Sequence, residues 1–302
     1  MANALGTLTP TAVVQRALEL VYTGRPLLKM ITMDTADLGG GNTALFNQPI
    51  NTRILAVPTV ANFGTGAAET AYTNVQVTLD QFKEVHFAFT PQEYNSTSRD
   101  LLDEAAEPCA VAIYNHLIDA IAAKWVIGTF TNATTVASGW TYTNTILPIR
   151  NALAARRKVS DGGIFFACSA AVYGALLADT TMVAALNNPA NAAAISTGKS
   201  AAVAGIMPIE YPAIPNTGNM VGFAGTKDTV VLANRVPTNP ETLVNGVKYP
   251  GTFDVVTDPT SGLSVVVNTY IGQGDLKANY RVLLMYGIAA GNPTNGQILK
   301  TA

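Results

Sequence analysis

Charged side chains are scarce in this sequence of 302 residues. Asp, Glu, Lys and Arg make up 13% of it, about half of the roughly 25% found in an average globular domain. The formal net charge of −2 predicts no strongly basic face, and so only weak or local contact with nucleic acid. Because a monomer usually keeps more charge in water, the shortage favours a surface covered by copies of the chain or by partners. The alternative is a soluble protein rich in Ala, Thr and Asn, since Ala raises the hydrophobic share of 48% without forming large patches.

Cysteine and histidine are also rare, with two of each. Cys109 and Cys168 are far apart and match no metal or redox spacing, so we expect both to be buried as small hydrophobic side chains. His86 and His116 show neither the spacing of a metal-binding pair nor that of a catalytic triad. The sequence therefore predicts no cofactor and no metal site.

Long apolar runs are absent as well. No run reaches the roughly 18 residues of a membrane-spanning helix. No apolar signal-peptide segment follows Arg16, the first basic residue. We therefore expect neither a membrane span nor a standard secretory route.

Two fragments of the sequence could belong to an enzyme. Gly198, Lys199 and Ser200 resemble the end of a phosphate-binding loop, but Ala193 stands where that pattern requires Gly. Acidic residues cluster near the start of a predicted helix, where anions also suit the helix dipole; they are Asp100, Asp103, Glu104 and Glu107. A cytosolic enzyme that uses these carboxylates or this loop is one alternative to a structural role.

Helical and extended segments follow one another without a regular β–α–β repeat. The sequence predicts an amphipathic helix from Thr9 to Gly24, then an extended segment, then a long hairpin with a tip rich in Gly and Ala. A long helix is predicted over residues 97–127, and Pro108 should kink or restart it. Helices and strands alternate in the middle of the chain, and the remainder is mostly strands. This order favours the α+β class.

The stretch "NVQVTLDQFKEVHFAF" alternates as a half-buried strand does. One face would carry Val75, Val77, Leu79, Gln81, Lys83, Val85, Phe87 and Phe89. The other, more polar face would carry Gln76, Thr78, Asp80, Phe82, Glu84, His86 and Ala88. His86 is accordingly interpreted as part of an exposed strand face rather than as a catalytic base.

Four stretches, together with the order of helices and strands described above, carry a resemblance to a known family. They are "IFFACSAAVYGALLAD", "GIMPIEYPAIP", "GTKDTVVLANRVP" and "SGLSVVVNTYIGQGDLKANYRVLLMYGIAAGNP". The chain resembles a major capsid protein of tailed bacteriophages, with the Hong Kong ninety-seven phage-type fold that herpesvirus capsid floors and encapsulins share. The resemblance covers nearly the whole chain and is one of pattern.

The resemblance implies an α+β fold with an N-terminal arm, an extended hairpin loop, a long spine helix, and peripheral and axial domains. It divides the chain into residues 1–51 as the N-terminal arm, 52–90 as the extended hairpin loop, 91–142 as the peripheral domain with its spine helix, 143–250 as the axial domain, and 251–302 as returning peripheral-domain strands and the C-terminus.

The same resemblance implies a function without catalysis. The chain would self-assemble through hexamers and pentamers into the icosahedral head of a tailed bacteriophage, which encloses double-stranded DNA through weak, non-specific contact. Scaffolding and portal proteins are expected partners and a decoration protein a possible one; assembly would take place in the host cytoplasm. The hairpin would lie over the adjacent subunit, with intersubunit contacts from Phe63, Asp80, Lys83, Glu84 and His86. An encapsulin-like compartment is the alternative within the same fold.

Overall fold

The computed structural model describes the chain in segments. They are residues 10–29, 31–34, 43–55, 72–96, 101–137, 139–156, 163–181, 203–215, 217–238, 241, 248–272, 274 and 276–302. The helices are α1 (Pro10–Thr23), α2 (Pro26–Lys29), α3 (Pro91–Ser96), α4 (Leu101–Ala122), α5 (Leu147–Ala155) and α6 (Ala170–Ala178), with a π-helical turn at Tyr142–Ile146. The strands are β1 (Thr32–Asp34), β2 (Thr43–Ala44), β3 (Pro49–Leu55), β4 (Tyr72–Thr78), β5 (Gln81–Phe89), β6 (Ala133–Val136), β7 (Ile164–Cys168), β8 (Ile206–Glu210), β9 (Met220–Gly225), β10 (Val230–Pro237), β11 (Thr252–Thr257), β12 (Ser264–Ile271), β13 (Ala278–Ala290) and β14 (Gly296–Thr301).

A seven-stranded sheet forms the larger part of the body. Its order is β1-β10-β13-β12-β11, with β2 also paired to β10 and β5 also paired to β13. The 13-residue strand β13 is long enough to pair with β12 over its first half and with β10 over its second half, while β5 lies along its other edge. β13 therefore holds this sheet together.

Helices α1 and α4 pack on one face of this sheet. The buried side chains of α4 recur every three or four residues, which puts an apolar stripe along one side of the helix; they are Ala106, Cys109, Ala110, Ile113, Tyr114, Leu117, Ile118, Ile121 and Ala122. The stripe meets alternate residues of the central strands, including Leu232 and Leu284. The predicted long helix is thus present, and it forms the main core with the sheet.

The sequence predicted that Pro108 would kink or restart the long helix, but the helix does not restart there. Helix α4 runs through this residue from Leu101 to Ala122. Pro108 lies on the exposed side of the helix, where water can hydrate a carbonyl group that lacks an amide partner. Exposure therefore reduces the cost of a proline inside the helix.

A second sheet of five strands forms the other part of the body. Its order is β6-β14-β9-β7-β8, and helices α5 and α6 contribute side chains to its separate core. Strand β7 is buried at every residue, as its short apolar run predicts. The mixture of a helix-covered sheet and a second αβ layer agrees with the α+β class.

Each sheet contains strands from distant parts of the sequence. β10 lies in the large sheet and β14 in the small sheet, and the division of the chain into peripheral and axial domains stays a prediction. Both strands are largely buried, and a short buried strand has the same apolar pattern in either sheet. Only long-range pairing distinguishes the two positions.

Strands β3 and β4 pair with each other as a separate hairpin base. This base packs on the face of the large sheet opposite α4, where Ile50, Ile54 and Val77 meet Val231 and Met285. In β10 the alternation is direct, because Val230 and Leu232 belong to the core under α4 and Val231 to the core under the hairpin. The large sheet is thus covered by helices on one face and by the hairpin base on part of the other.

Candidate interaction surface

Four of the five residues predicted to make intersubunit contacts lie next to one another along β5. Asp80 immediately precedes the strand, and Lys83, Glu84 and His86 are within it; all four are exposed. Phe63 lies outside the described residues. The structure thus places these four exposed side chains in succession at the edge of the large sheet, with Glu84 and His86 on its outer face and Lys83 on the face toward α4.

Strand β5 belongs to the body and not to the hairpin, which differs from the sequence-based interpretation. The returning strand β4 ends at Thr78, and the amide of Asp80 donates a hydrogen bond to the Thr78 carbonyl at 2.9 Å. This local turn redirects the chain, so that β5 pairs with β13 from Gln81 to Phe89. A two-residue period continues unchanged through such a turn, and periodicity alone therefore joined two strands into one.

The two faces of β5 are those that its alternation predicts. Val85 and Phe87 pack against the core under α4, whereas Glu84 and His86 are exposed. The His86 ring nitrogen Nε2 lies 3.0 Å from Oδ1 of Asn279 on the neighbouring strand β13. His86 is thus engaged with an amide on the outer face of the sheet.

A cation and an aromatic ring extend this polar face onto the next strands. Arg281, the register partner of His86, donates from Nη2 to the Tyr270 hydroxyl at 2.7 Å. Its guanidinium carbon also lies 4.9 Å from the centroid of the Tyr270 ring, a cation–π distance. The outer face of β5, β13 and β12 therefore presents both signs of charge in a fixed arrangement.

Three large apolar side chains are exposed near the hairpin base. Leu45 is 64% exposed, Phe46 52% and Phe82 48%. Asn47, next to Phe46, donates its amide to the Leu79 carbonyl at 2.9 Å, which holds the turn before β3 close to the start of β5. Exposed apolar groups that lie close together beside polar ones are typical of surfaces that bind other proteins.

His116 and the two cysteines lie within the packed body of the subunit. His116 is half-buried under the sheet, with Nε2 2.7 Å from the Tyr286 hydroxyl. Burial, and then the nearby charge of Asp80, raises the pKa of Tyr286 to about 12. Cys109 and Cys168 are buried as predicted, and burial raises the pKa of each thiol to about 12. Both cysteines are therefore thiols near neutral pH, without nucleophilic thiolate.

A cleft of about 720 Å³ lies between the α1–α2 connection, α4 and β8. Within it the Tyr211 hydroxyl donates to the Asp119 carboxylate, and burial, followed by this carboxylate, raises the pKa of Tyr211. Across the described residues, no three His, Cys, Asp or Glu side chains gather as a metal site. Asp100 and Lys199, on which the enzyme alternative depended, lie outside the described residues. The described helices include none with both the length and the apolar character to cross a membrane.

A group of buried polar residues behind the interaction surface was not predicted. Asn234 and Arg235 are buried near the end of β10, and Arg235 forms an ion pair with Asp34 in β1 at 2.7 Å. The signal was present in "VVLANRVP", where an amide and a cation interrupt an otherwise apolar strand. Buried charges need partners, but the sequence does not indicate that the partner lies about 200 positions earlier.

The fold is similar to that of solved capsid structures, as the resemblance predicted. No family model and no curated protein matches the sequence, so the evidence comes from solved structures. The chain superposes on the capsid structure of the cyanophage P-SCSP1u with a TM-score of 0.58 and 11% identity, over 90% of this chain and 86% of the other. A structure from Mycobacterium phage Che8 gives a TM-score of 0.53 and 15% identity, over 83% and 84% of the two chains. A virus-like particle from Pyrococcus furiosus gives 0.50 and 14%, over 96% and 97%. At these identities the likeness establishes the fold.

Proposed function

We propose that this chain is the structural subunit of a self-assembling capsid, and more specifically the major capsid protein of a tailed bacteriophage. The observation that carries the proposal is the fold, which matches the cyanophage capsid structure over 90% of this chain. A match along nearly the whole chain supports the proposal more than a match to one common motif would.

The surface of the subunit supports self-association. Large apolar side chains are exposed at widely separated places: Leu45, Phe46 and Phe82 near the hairpin, Val255 on β11, and Ile271 and Leu276 at the turn between β12 and β13. A shell subunit needs contacts on all its edges, and contacts of this kind are buried only when neighbours surround it. The low charge content of the sequence has the same explanation.

The intersubunit contacts are assigned to the hairpin and to the strand that follows it. In this proposal the extended hairpin loop, predicted over residues 52–90, leads into β5, which pairs within the body, and Phe63, Asp80, Lys83, Glu84 and His86 contact the adjacent subunit. Because Asp80, Lys83, Glu84 and His86 include both signs of charge, they can define the orientation of a neighbour more than they add affinity. The proposal keeps the N-terminal arm at residues 1–51, the peripheral domain with its spine helix at 91–142 and 251–302, and the axial domain at 143–250.

The proposed particle is an icosahedral head built from hexamers and pentamers that encloses double-stranded DNA. The net charge of −2 suits weak contact with the packaged DNA, because strong phosphate binding would oppose packing and ejection. Scaffolding and portal proteins are the expected partners, a decoration protein is a further one, and assembly takes place in the host cytoplasm before the protein becomes part of the virion.

A protein compartment of encapsulin type is the second candidate. The specific observation in its favour is the match to the Pyrococcus furiosus virus-like particle over 96% of this chain and 97% of the other. Both candidates predict closed shells from one subunit, and they differ in what the shell contains. Nucleic acid extracted from particles isolated from the natural source would support the phage head, whereas a packaged protein would support the compartment.

Electron microscopy of the protein expressed alone tests the shared part of the proposal. Closed shells, tubes or partial shells with a uniform wall are expected, together with a large species in size-exclusion light scattering on the same sample. If the protein remains a monomer at high concentration, both alone and with a scaffold, the capsid function is wrong.

A further inference from the structure

The hairpin base is fixed to the large sheet by an apolar contact that contains one polar residue. Alternate side chains of β3 point toward the sheet, namely Ile50, Thr52 and Ile54, with exposures of 3%, 5% and 6%. Ile50 and Ile54 pack in the apolar core beneath the hairpin. A threonine between them buries a hydroxyl group that valine, of nearly the same shape, would not carry. The position of Thr52 therefore calls for a specific partner.

That partner is Asp34, which connects the hairpin to the body of the subunit. The Thr52 hydroxyl donates to Oδ2 of Asp34 at 2.6 Å. Arg235 donates to the same residue twice, from Nη2 to Oδ1 and from Nη1 to the carbonyl oxygen, each at 2.7 Å. The side chain of Arg235 is fully buried and that of Asp34 is 15% exposed. One carboxylate therefore joins three strands: β10 of the sheet, β1 at its edge and β3 of the hairpin.

Asp34 is itself held in place by the sheet. Strand β1 pairs in parallel with β10, with Thr32 opposite Val231 and Asp34 opposite Ala233. At the other end of β1, the Thr32 hydroxyl donates to the Asp228 carboxylate. The carboxylate that receives Thr52 is thus a fixed point rather than a mobile surface group.

The second strand of the hairpin meets the sheet at a point without a side chain. A Cβ atom added to Gly287 in β13 would lie 2.0 Å from the Thr78 carbonyl oxygen of β4 and 3.0 Å from Cγ1 of Val77. Only glycine allows the backbone of β4 to approach β13 so closely. The hairpin base is accordingly held at two places, through Thr52 in β3 and at Thr78 in β4.

We propose that Asp34 is a positioning residue that sets the angle of the hairpin on the subunit, and thereby the curvature of the assembled shell. Apolar packing has no preferred direction, so the contacts of Ile50 and Ile54 alone leave the hairpin able to tilt. A hydrogen bond requires its donor and acceptor within about 3 Å and near-linear geometry. The Thr52–Asp34 hydrogen bond fixes β3 at one point and the contact at Gly287 fixes β4 at another, so the two points together define the tilt of the hairpin. The effect on curvature rests on the proposed function, because it applies only if the hairpin contacts a neighbouring subunit.

Thr52→Val tests the inference with little change of shape, since it removes the hydroxyl and leaves the Asp34–Arg235 ion pair intact. Thr52→Ser retains the hydroxyl and is the matched control. Asp34→Asn is a second variant, which keeps an oxygen that can accept from Thr52 but removes the charge that Arg235 requires. Ile54→Val is a control for stability alone, because it removes one methyl group from the same contact without affecting the hydrogen bond.

Two measurements on these variants judge the inference. In hydrogen exchange of the purified protein, Thr52→Val should exchange the amides of residues 50–55 and 72–78 on the order of tenfold faster, while Thr52→Ser exchanges them as the parent does. In electron microscopy, Thr52→Val and Asp34→Asn should give shells of shifted or broadened diameter, or tubes. Ile54→Val should lower the melting temperature and leave the diameter unchanged.

Each outcome supports or contradicts either the positioning role of Asp34 or the effect on shell curvature. Unchanged exchange and unchanged diameters in Thr52→Val would overturn the positioning role, and changed diameters in Ile54→Val would reduce that role to general stability. If the parent protein forms no shells, the proposed function and the curvature effect fail together. The exchange measurement then still decides whether Asp34 fixes the hairpin.

Discussion

Asn234 and Ser264 exchange two hydrogen bonds inside the large sheet. The Asn234 side-chain nitrogen donates to the Ser264 carbonyl at 3.0 Å, and the Ser264 amide donates to Asn234 Oδ1 at 2.7 Å. The same side-chain nitrogen donates to the Met285 carbonyl at 3.0 Å. Because β10 and β12 meet end to end along one edge of β13, the Asn234 amide supplies backbone partners at the gap that the two strands leave.

Replacing Asn234 by leucine should therefore destabilise the subunit without creating a large cavity. The change leaves buried backbone groups of Ser264 and Met285 without these partners, and we expect a loss of about 3 kcal/mol in the free energy of unfolding. Denaturant titration of the purified protein measures it. The exposed Asn51→Leu is the control and should change the unfolding free energy by less than about 0.5 kcal/mol; equal effects of the two substitutions would contradict the role of Asn234.

Gly287→Ala should lift the hairpin base from the sheet. The new Cβ would overlap the Thr78 carbonyl oxygen, so the backbone of β4 must move, at a cost of about 2 kcal/mol. Limited proteolysis should then cleave near residues 49–55 or 72–78 faster than in the parent protein. The control is Gly174→Ala on α6, where a Cβ would meet no atom within 4 Å and a gain of about 0.5 to 1 kcal/mol is expected. Equal cleavage of the parent and Gly287→Ala would contradict the predicted displacement.

The subunit should lose stability above about pH 10. Tyr286 has a pKa of about 12 in the folded protein against an ordinary value of 10.0, chiefly because it is buried. The folded state therefore retains a proton that the unfolded state releases between these values. The stability contributed by Tyr286 is complete below pH 10 and is lost as the pH rises toward 12, so the melting temperature should fall over this range.

Tyr286→Phe separates this effect from other alkaline changes. The substitution removes the hydrogen bond to His116 and should lower the melting temperature at pH 8 by a few degrees. It should also make the decrease of the melting temperature between pH 10 and pH 12 shallower than in the parent. Parallel curves for the two proteins would show that Tyr286 does not carry the predicted pH dependence.

Phe82→Ser should impair assembly while leaving the subunit folded. Phe82 is 48% exposed in the subunit, so its removal costs little in isolation, with a change in unfolding free energy of about 0.5 kcal/mol or less. If a neighbour covers it in the shell, the yield of shells should fall several-fold at equal protein concentration. Light scattering and melting temperature, measured on Phe82→Ser and on the conservative Phe82→Tyr, distinguish the two effects. Normal shell yield from Phe82→Ser would place Phe82 outside any interface.

The sequence was sufficient to predict the elements whose pattern is long and regular. The amphipathic helix α1, the long helix α4 and the two faces of β5 follow from periodicity, since their apolar residues repeat over several turns or strand positions. Cys109 and Cys168 were also predicted correctly as buried, because neither has a second cysteine or histidine at a ligand spacing. The resemblance then supplied the fold, although no single motif in the sequence is specific for it.

Contacts between distant segments account for what the sequence did not predict. The pairing of β5 with β13 separates β5 from the hairpin, and the Asp34–Arg235 pair joins residues about 200 positions apart. The pairing of β10 in the large sheet and of β14 in the small sheet is of the same kind. In each case the deciding interaction lies between elements whose own patterns fit either arrangement, and only the assembled chain selects one.

The most direct test of the capsid function is electron microscopy of the protein expressed alone, with light scattering on the same sample. The proposed function predicts closed shells, tubes or partial shells with a wall of uniform thickness. A homogeneous monomer or small discrete oligomer, at high concentration and also with a scaffold, would contradict it.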